Sequence, residues 1–169
     1  MSVAEDIVAR VVDRLCAIDG TAKTFTLHGQ IVSHTYTFDL SDPDRVRRGM
    51  SGPPVPPPYA NVFQTLTPGE DGTSICKTRW RLSIDVDAIA SVGDMLSDTE
   101  HTAALNMAND IVVAIMADRD AQTAGSLRAL GAESIQPTVS QLTSGNEGIE
   151  VAGCRVTFEM TYQTSGIGL

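Results

Sequence analysis

A chain of 169 residues, 42% of them hydrophobic, fits a single domain with one sizeable core and excludes wholesale disorder. Twelve Lys and Arg against 21 Asp and Glu leave a formal charge of −9, the opposite of the balance with which a chain grips a nucleic-acid backbone. No apolar run reaches the length of a membrane span, and aromatics at 5% leave the core to Val, Ile, Leu, Met and Ala.

Ser2 and Glu5 have capping-box spacing. Behind them Ile7, Val8, Val11, Val12, Leu15 and Ile18 recur at helical spacing, which predicts an acidic amphipathic helix over about 3–18 rather than a basic-then-apolar leader. Asp6, Arg10, Asp13 and Arg14 fall on its polar side. Residues 24–28 and 31–40 are rich in β-branched and aromatic types and flank Gly29-Gln30, predicting a hairpin or one bent ribbon. In the second stretch Val32, His34, Tyr36 and Phe38 share a face.

Residues 41–58 change character: Arg45, Arg47 and Arg48 lead into a run that contains Pro53, Pro54, Pro56, Pro57 and Pro58. Prolines withdraw ladder donors and favour extended geometry, so this stretch is expected to protrude and to meet a neighbour. Strand signals follow at 59–66 and 75–88. In the second, Trp80, Leu82, Ile84 and Val86 alternate with Lys77, Arg79, Arg81, Ser83, Asp85 and Asp87. Ser97 and Glu100 repeat the capping-box spacing ahead of a helix carrying Ala104, Leu105, Ala108, Ile111, Val112 and Ile115 to about residue 117, with fraying from Asp118. Two last strands are expected at 132–142 and 149–164, the final one with Cys154, Val156, Phe158, Met160 and Tyr162 in one row. The simplest burial of these faces is an α+β domain: a mostly antiparallel or mixed sheet, two helices packed on one face, and a proline-rich loop at about 41–58.

Chemistry-bearing motifs are scarce. Cys16, Cys76 and Cys154 lack CxxC or zinc spacing and read as free thiols of a reducing compartment; His28, His34 and His101 stand apart in sequence. There is no dinucleotide or phosphate-loop pattern and no GxSxG elbow, so neither a cofactor nor a metal is expected. Asp85 and Asp87, two apart on one strand face, could form a carboxylate pair, but a general acid there would need burial or crowding that an exposed face does not supply. The three loop arginines read best as a dock for an acidic neighbour.

The order of these segments resembles the tail terminator proteins of long-tailed bacteriophages, the minor tail protein U-like family. The likeness covers nearly the whole chain as one domain, 1–169. It rests on the opening helix, the proline-bearing loop into Tyr59-Ala60-Asn61-Val62, the strand from Arg79 to Val86, the run from Ala103 to Ile111, and the closing run from Val156 to Thr164. Residues 24–40 depart from it. The resemblance implies a non-enzymatic virion protein at the head-proximal end of the tail. It would form a homohexameric ring that caps the tail tube, ends its polymerisation and offers the head-joining surface. Its partners would be copies of itself, the tail-tube protein and a head–tail connector protein, with DNA passing through unread and no membrane involved. On that basis Arg45, Arg47, Arg48, Pro54, Pro57, Lys77, Arg79 and Arg81 are candidate subunit-interface residues. The alternatives are a head–tail stopper, a tail-tube subunit, or a small hydrolase or ligand-binding enzyme using Asp85 and Asp87.

Overall fold

The apolar stripe near the N-terminus forms helix α1, Val3–Cys16, whose Ile7, Val8, Val11 and Leu15 are buried. The Ser2 hydroxyl accepts from the Glu5 N–H at 3.3 Å, satisfying one of the orphan donors of the first turn. The computed structural model describes residues 2–27, 29–49, 55–68, 77–93, 96–121, 123–142 and 150–165.

Strands β1, Ala22–Leu27, and β2, Gln30–Thr35, pair antiparallel as a separate two-stranded sheet. The hairpin reading is therefore correct, but the second strand stops at Thr35 instead of reaching residue 40. The reason is a partner distant in sequence. Thr37 gives both its N–H and its hydroxyl to the Asp110 carboxylate instead of a strand partner, and Leu40 donates back to the Ile18 carbonyl at 2.7 Å.

Of the stretch expected to protrude at 41–58, residues 50–54 lie outside the described residues, and residues 43–48 are more structured than expected. A single 3-10 turn, Pro43–Arg45, precedes a short strand β3, Val46–Arg48, which pairs in parallel with β4, Tyr59–Pro68. Val46 is buried, and that burial draws the segment onto the sheet edge. Pro54 lies outside the described residues.

The remaining strands are β5, Lys77–Gly93, β6, Ser134–Leu142, and β7, Glu150–Ser165. The five-stranded sheet runs β3-β4-β5-β7-β6, antiparallel except for β3. Leu82, Ile84, Val86 and Ala88 of β5 and Cys154, Val156, Phe158, Met160 and Tyr162 of β7 are buried on one face, as period-2 alternation requires. Helix α2, Asp98–Asp120, packs on that face through Ala104, Met107, Ala108, Ile111, Ala114 and Ile115, and α1 packs beside it. Alanine at three of those six positions allows a close approach. At the shift in register between Ile89 and Ser91, Gly153 is obligatory: a Cβ there would sit 2.8 Å from the Ala88 carbonyl oxygen. The architecture is α+β, with the helices on one side of a mixed sheet.

Candidate functional site

With the helices on one side, the other face of the sheet is left bare by the described residues. On it stand Asn61, Phe63, Thr65 and Thr67 of β4, then Arg79, Arg81, Ser83, Asp85 and Asp87 of β5. Arg155, Thr157, Glu159, Thr161 and Gln163 of β7 and the polar side of β6 complete it. Register decides what the charges do. Asp87 lies opposite Arg155, which donates to both carboxylate oxygens at 2.6 and 2.7 Å; Asp85 lies opposite Thr157, whose hydroxyl donates at 2.6 Å. The bidentate bond and the charge of Asp87 hold the Arg155 guanidinium protonated beyond its ordinary range. The two carboxylates are half-buried rather than freely solvated, and each is engaged by its own partner on β7 instead of converging on a shared point.

The basic end of the same face is looser. Arg79 approaches Glu133 at 3.8 Å with both side chains exposed, and Arg81 is exposed with no ion pair among the described residues. Lys77 is described through its backbone pairing with Ser165. Arg45, Arg47 and Arg48 do not form one patch. Arg45 donates to the Pro58 carbonyl at 2.8 Å, next to the cis Pro57-Pro58 peptide, and Arg47 donates to the Asp44 carbonyl at 3.0 Å. Arg48 turns to the helix side, donating at 3.0 Å to Glu5 and at 3.0 Å to Gln64; its bond to Glu5, and a second to Glu5 from the Gln64 amide at 3.4 Å, lower the Glu5 carboxyl below its usual range.

Two buried carboxylates were given no role by the sequence, in which Asp118 marked only the expected fraying of the helix: Asp110 and Asp118, both on α2 and each with a side chain 1% exposed. Asp110 sits 2.7 Å from His34 Nε2 and accepts the Thr37 N–H at 2.8 Å and the Thr37 hydroxyl at 2.7 Å. Asp118 accepts from Arg10 at 2.6 Å and from the Leu127 N–H at 2.9 Å. Arg14 Nε is 2.8 Å from Asp118 but its N–H is not directed at the carboxylate, so that contact is Coulombic rather than a hydrogen bond. One signal could have found both residues. Asp110 follows Met107 by three and Asp118 follows Ile115 by three, which puts two acids on the apolar stripe of a helix.

Between α1, β1 and the end of α2 lies a cleft of about 670 Å³ bordered by Arg14, Lys23, Phe25, Tyr36 and Asp118. Burial first, and the Asp110 charge second, push the Tyr36 hydroxyl up to about 12. Asp85, Asp87 and His34 do not line this cleft. Among the described residues no three His, Cys, Asp or Glu are grouped to hold a metal ion, and Cys16 and Cys154 are free thiols; His28 and Cys76 lie outside those residues. No protein-family model and no curated protein matches the chain.

Proposed function

We propose that this chain is a structural virion subunit whose ring caps a phage tail tube, ends tube growth, offers the head-joining surface and lets DNA pass. The segment order resembling tail terminators supports this reading, and one structural observation carries it: the helix-free face of the five-stranded sheet. That face is polar, and its paired acids Asp87 and Asp85 are already engaged by Arg155 and Thr157. Such a surface suits contact with, or lining of, something large, whereas a small-ligand site is a cleft with converging polar groups. A hydrolase built on Asp85 and Asp87 would need those carboxylates free and aimed at a common point.

Net charge fits the same reading. Six copies at −9 each would gather a formal −54 around a channel, and acids facing its lumen would repel phosphate and keep DNA from sticking. Arg79 and Arg81, exposed at one end of the bare face, are the charges best placed to meet an acidic neighbour, be it another copy, the tail-tube protein or a connector. Electron microscopy of the purified protein, alone and mixed with tail tubes, tests the proposal. Closed rings seated at tube ends are expected. Open-ended stacks would assign a tube subunit instead, rings that bind only the head connector would assign a stopper, and a particle that stays monomeric in both samples would end the reading.

A further inference from the structure

An isolated two-stranded hairpin is marginal in water, and β1–β2 is supported on one side only. Its inner row contains Phe25 and His34, which stack edge-on against Tyr36 and lie toward α2. Its outer row is Ala22, Thr24, Thr26, Ile31, Ser33 and Thr35, every one exposed, with Ile31 at 80%. Among the described residues β2 pairs with β1 alone, so its outer backbone edge is unpaired. Proteins usually guard such an edge with Lys, Pro, a bulge or a covering segment. From Gln30 to Thr35 there is no charge, no proline and no break in register.

Charge identifies the occupant. In a chain that is 20% charged, residues 24–38 contain no Asp, Glu, Lys or Arg, and neither do residues 134–146, which include all of β6. β6 is the far edge of the main sheet, and seven of its nine residues from Ser134 to Leu142 are exposed, Val139 among them at 45%. Copies that each carry −9 repel one another over much of their surface, and that repulsion is least where neutral surface meets neutral surface. A basic or acidic foreign partner would be selected by charges that neither surface has. We infer that the β1–β2 hairpin is an arm that docks on the β6 surface of a second copy of this chain, with Ile31 set against Val139. Pro137 removes a donor from the β6 edge, so the contact uses the side chains around Val139 rather than an unbroken ladder. Because arm and receptor are different patches, the contact is head-to-tail and closes into a ring when the rotation allows. The inference deepens the ring reading and rests on it.

Sedimentation of wild type, Ile31→Asp, Val139→Asp and an equimolar mixture of the two variants is the test. Both positions are exposed, so circular dichroism and melting are expected to show intact folds. Each variant alone is expected to lose the ring and sediment as a monomer. The mixture is expected to stop at dimers, since one variant keeps a working β6 surface and the other a working arm. Either variant retaining wild-type mass overturns the inference while leaving the ring intact. Loss of tube binding in Ile31→Asp with self-assembly unchanged assigns the arm to another protein and also overturns it. Wild type that forms only open dimers, abolished by both substitutions, upholds the arm and overturns the ring. Wild type that is monomeric with and without tubes overturns both.

Discussion

Asp110 and Asp118 lie on one helix, are equally buried, and hold different halves of the molecule by different means. Asp118 faces two guanidinium groups and one N–H, and through them ties α1 and the turn at Leu127 to α2. Asp110 meets one N–H, one hydroxyl and a histidine, and ties β2 and the residues just after it. The first is a charge-neutralised junction inside the core. The second is a hydrogen-bonded hinge at the root of an arm. A buried carboxylate can therefore serve either rigidity or attachment, and its partners decide which.

Breaking the Asp118 junction gives the largest expected effect. Asp118→Ala leaves Arg10 and Arg14 facing each other without a counter-charge and the buried Leu127 N–H without an acceptor, and is expected to cost about 3–5 kcal/mol. Against a typical domain stability of about 5–15 kcal/mol that is a large share. Urea titration measures it, and a loss under about 1 kcal/mol would show that α1 docks through its apolar stripe alone. Asp110→Ala is expected to cost less, roughly 1–3 kcal/mol. Its loss has a ceiling, because the variant can release the hairpin and keep the rest, so the cost cannot exceed the free energy of docking the arm. Hydrogen exchange distinguishes the two: Asp110→Ala is expected to lose protection first in β1 and β2, whereas Asp118→Ala loses it across α1 and the sheet alike. Uniform loss in both variants would erase the distinction. Thr37→Val sharpens it further. It removes the hydroxyl but leaves the N–H bond, and is expected to cost about 1 kcal/mol in the same denaturant assay, confined to the hairpin in exchange.

The parts of the fold that depend on local pattern were legible in the sequence. The α1 stripe, the alternation from Trp80 to Asp87 and the row from Cys154 to Tyr162 each announce a period and a buried face, and each stands where the pattern puts it. What failed depended on partners far along the chain. β2 ends early because Thr37 turns to Asp110, some 73 residues away, and α2 runs past residue 117 to Asp120 with the Asp118 carboxylate engaged by Arg10, 108 residues away. No local propensity carries that information. The loop arginines show the same limit. Their spacing suggested a single basic patch, yet β3 pairing sends Arg48 toward Glu5 and leaves Arg47 in register with Asn61 on the bare face. Asp85 and Asp87 were read as solvated because their face is polar, which is right about the face but silent on the cross-strand partners Arg155 and Thr157 that register supplies.

The smallest effect at neutral pH, and the one that contrasts core with arm root most directly, is alkaline. Burial, with Asp87 adding to it, pushes the Cys154 thiol up to about 12, and Tyr36 at the base of the hairpin is likewise held up to about 12. Unfolded, the two groups ionise near their ordinary values of 9 and 10. Below those values both states keep the proton and stability is unaffected. As pH climbs from about 9 towards 12 the unfolded state sheds protons that the folded state retains, so stability falls across that window. Cys154→Ala costs about 1 kcal/mol near neutrality by leaving a small void. It is expected to flatten the alkaline limb at its lower end, leaving there only the Cys16 thiol, which burial and Asp13 also raise, with the tyrosines Tyr36 and Tyr162 contributing above it. Tyr36→Phe is expected to keep the fall beginning at the lower end and to lose only its upper part. Urea midpoints measured at intervals through that range separate the two, and identical slopes for wild type and Cys154→Ala would mean that the thiol already meets solvent, with the sheet beneath α2 opening as readily as the arm.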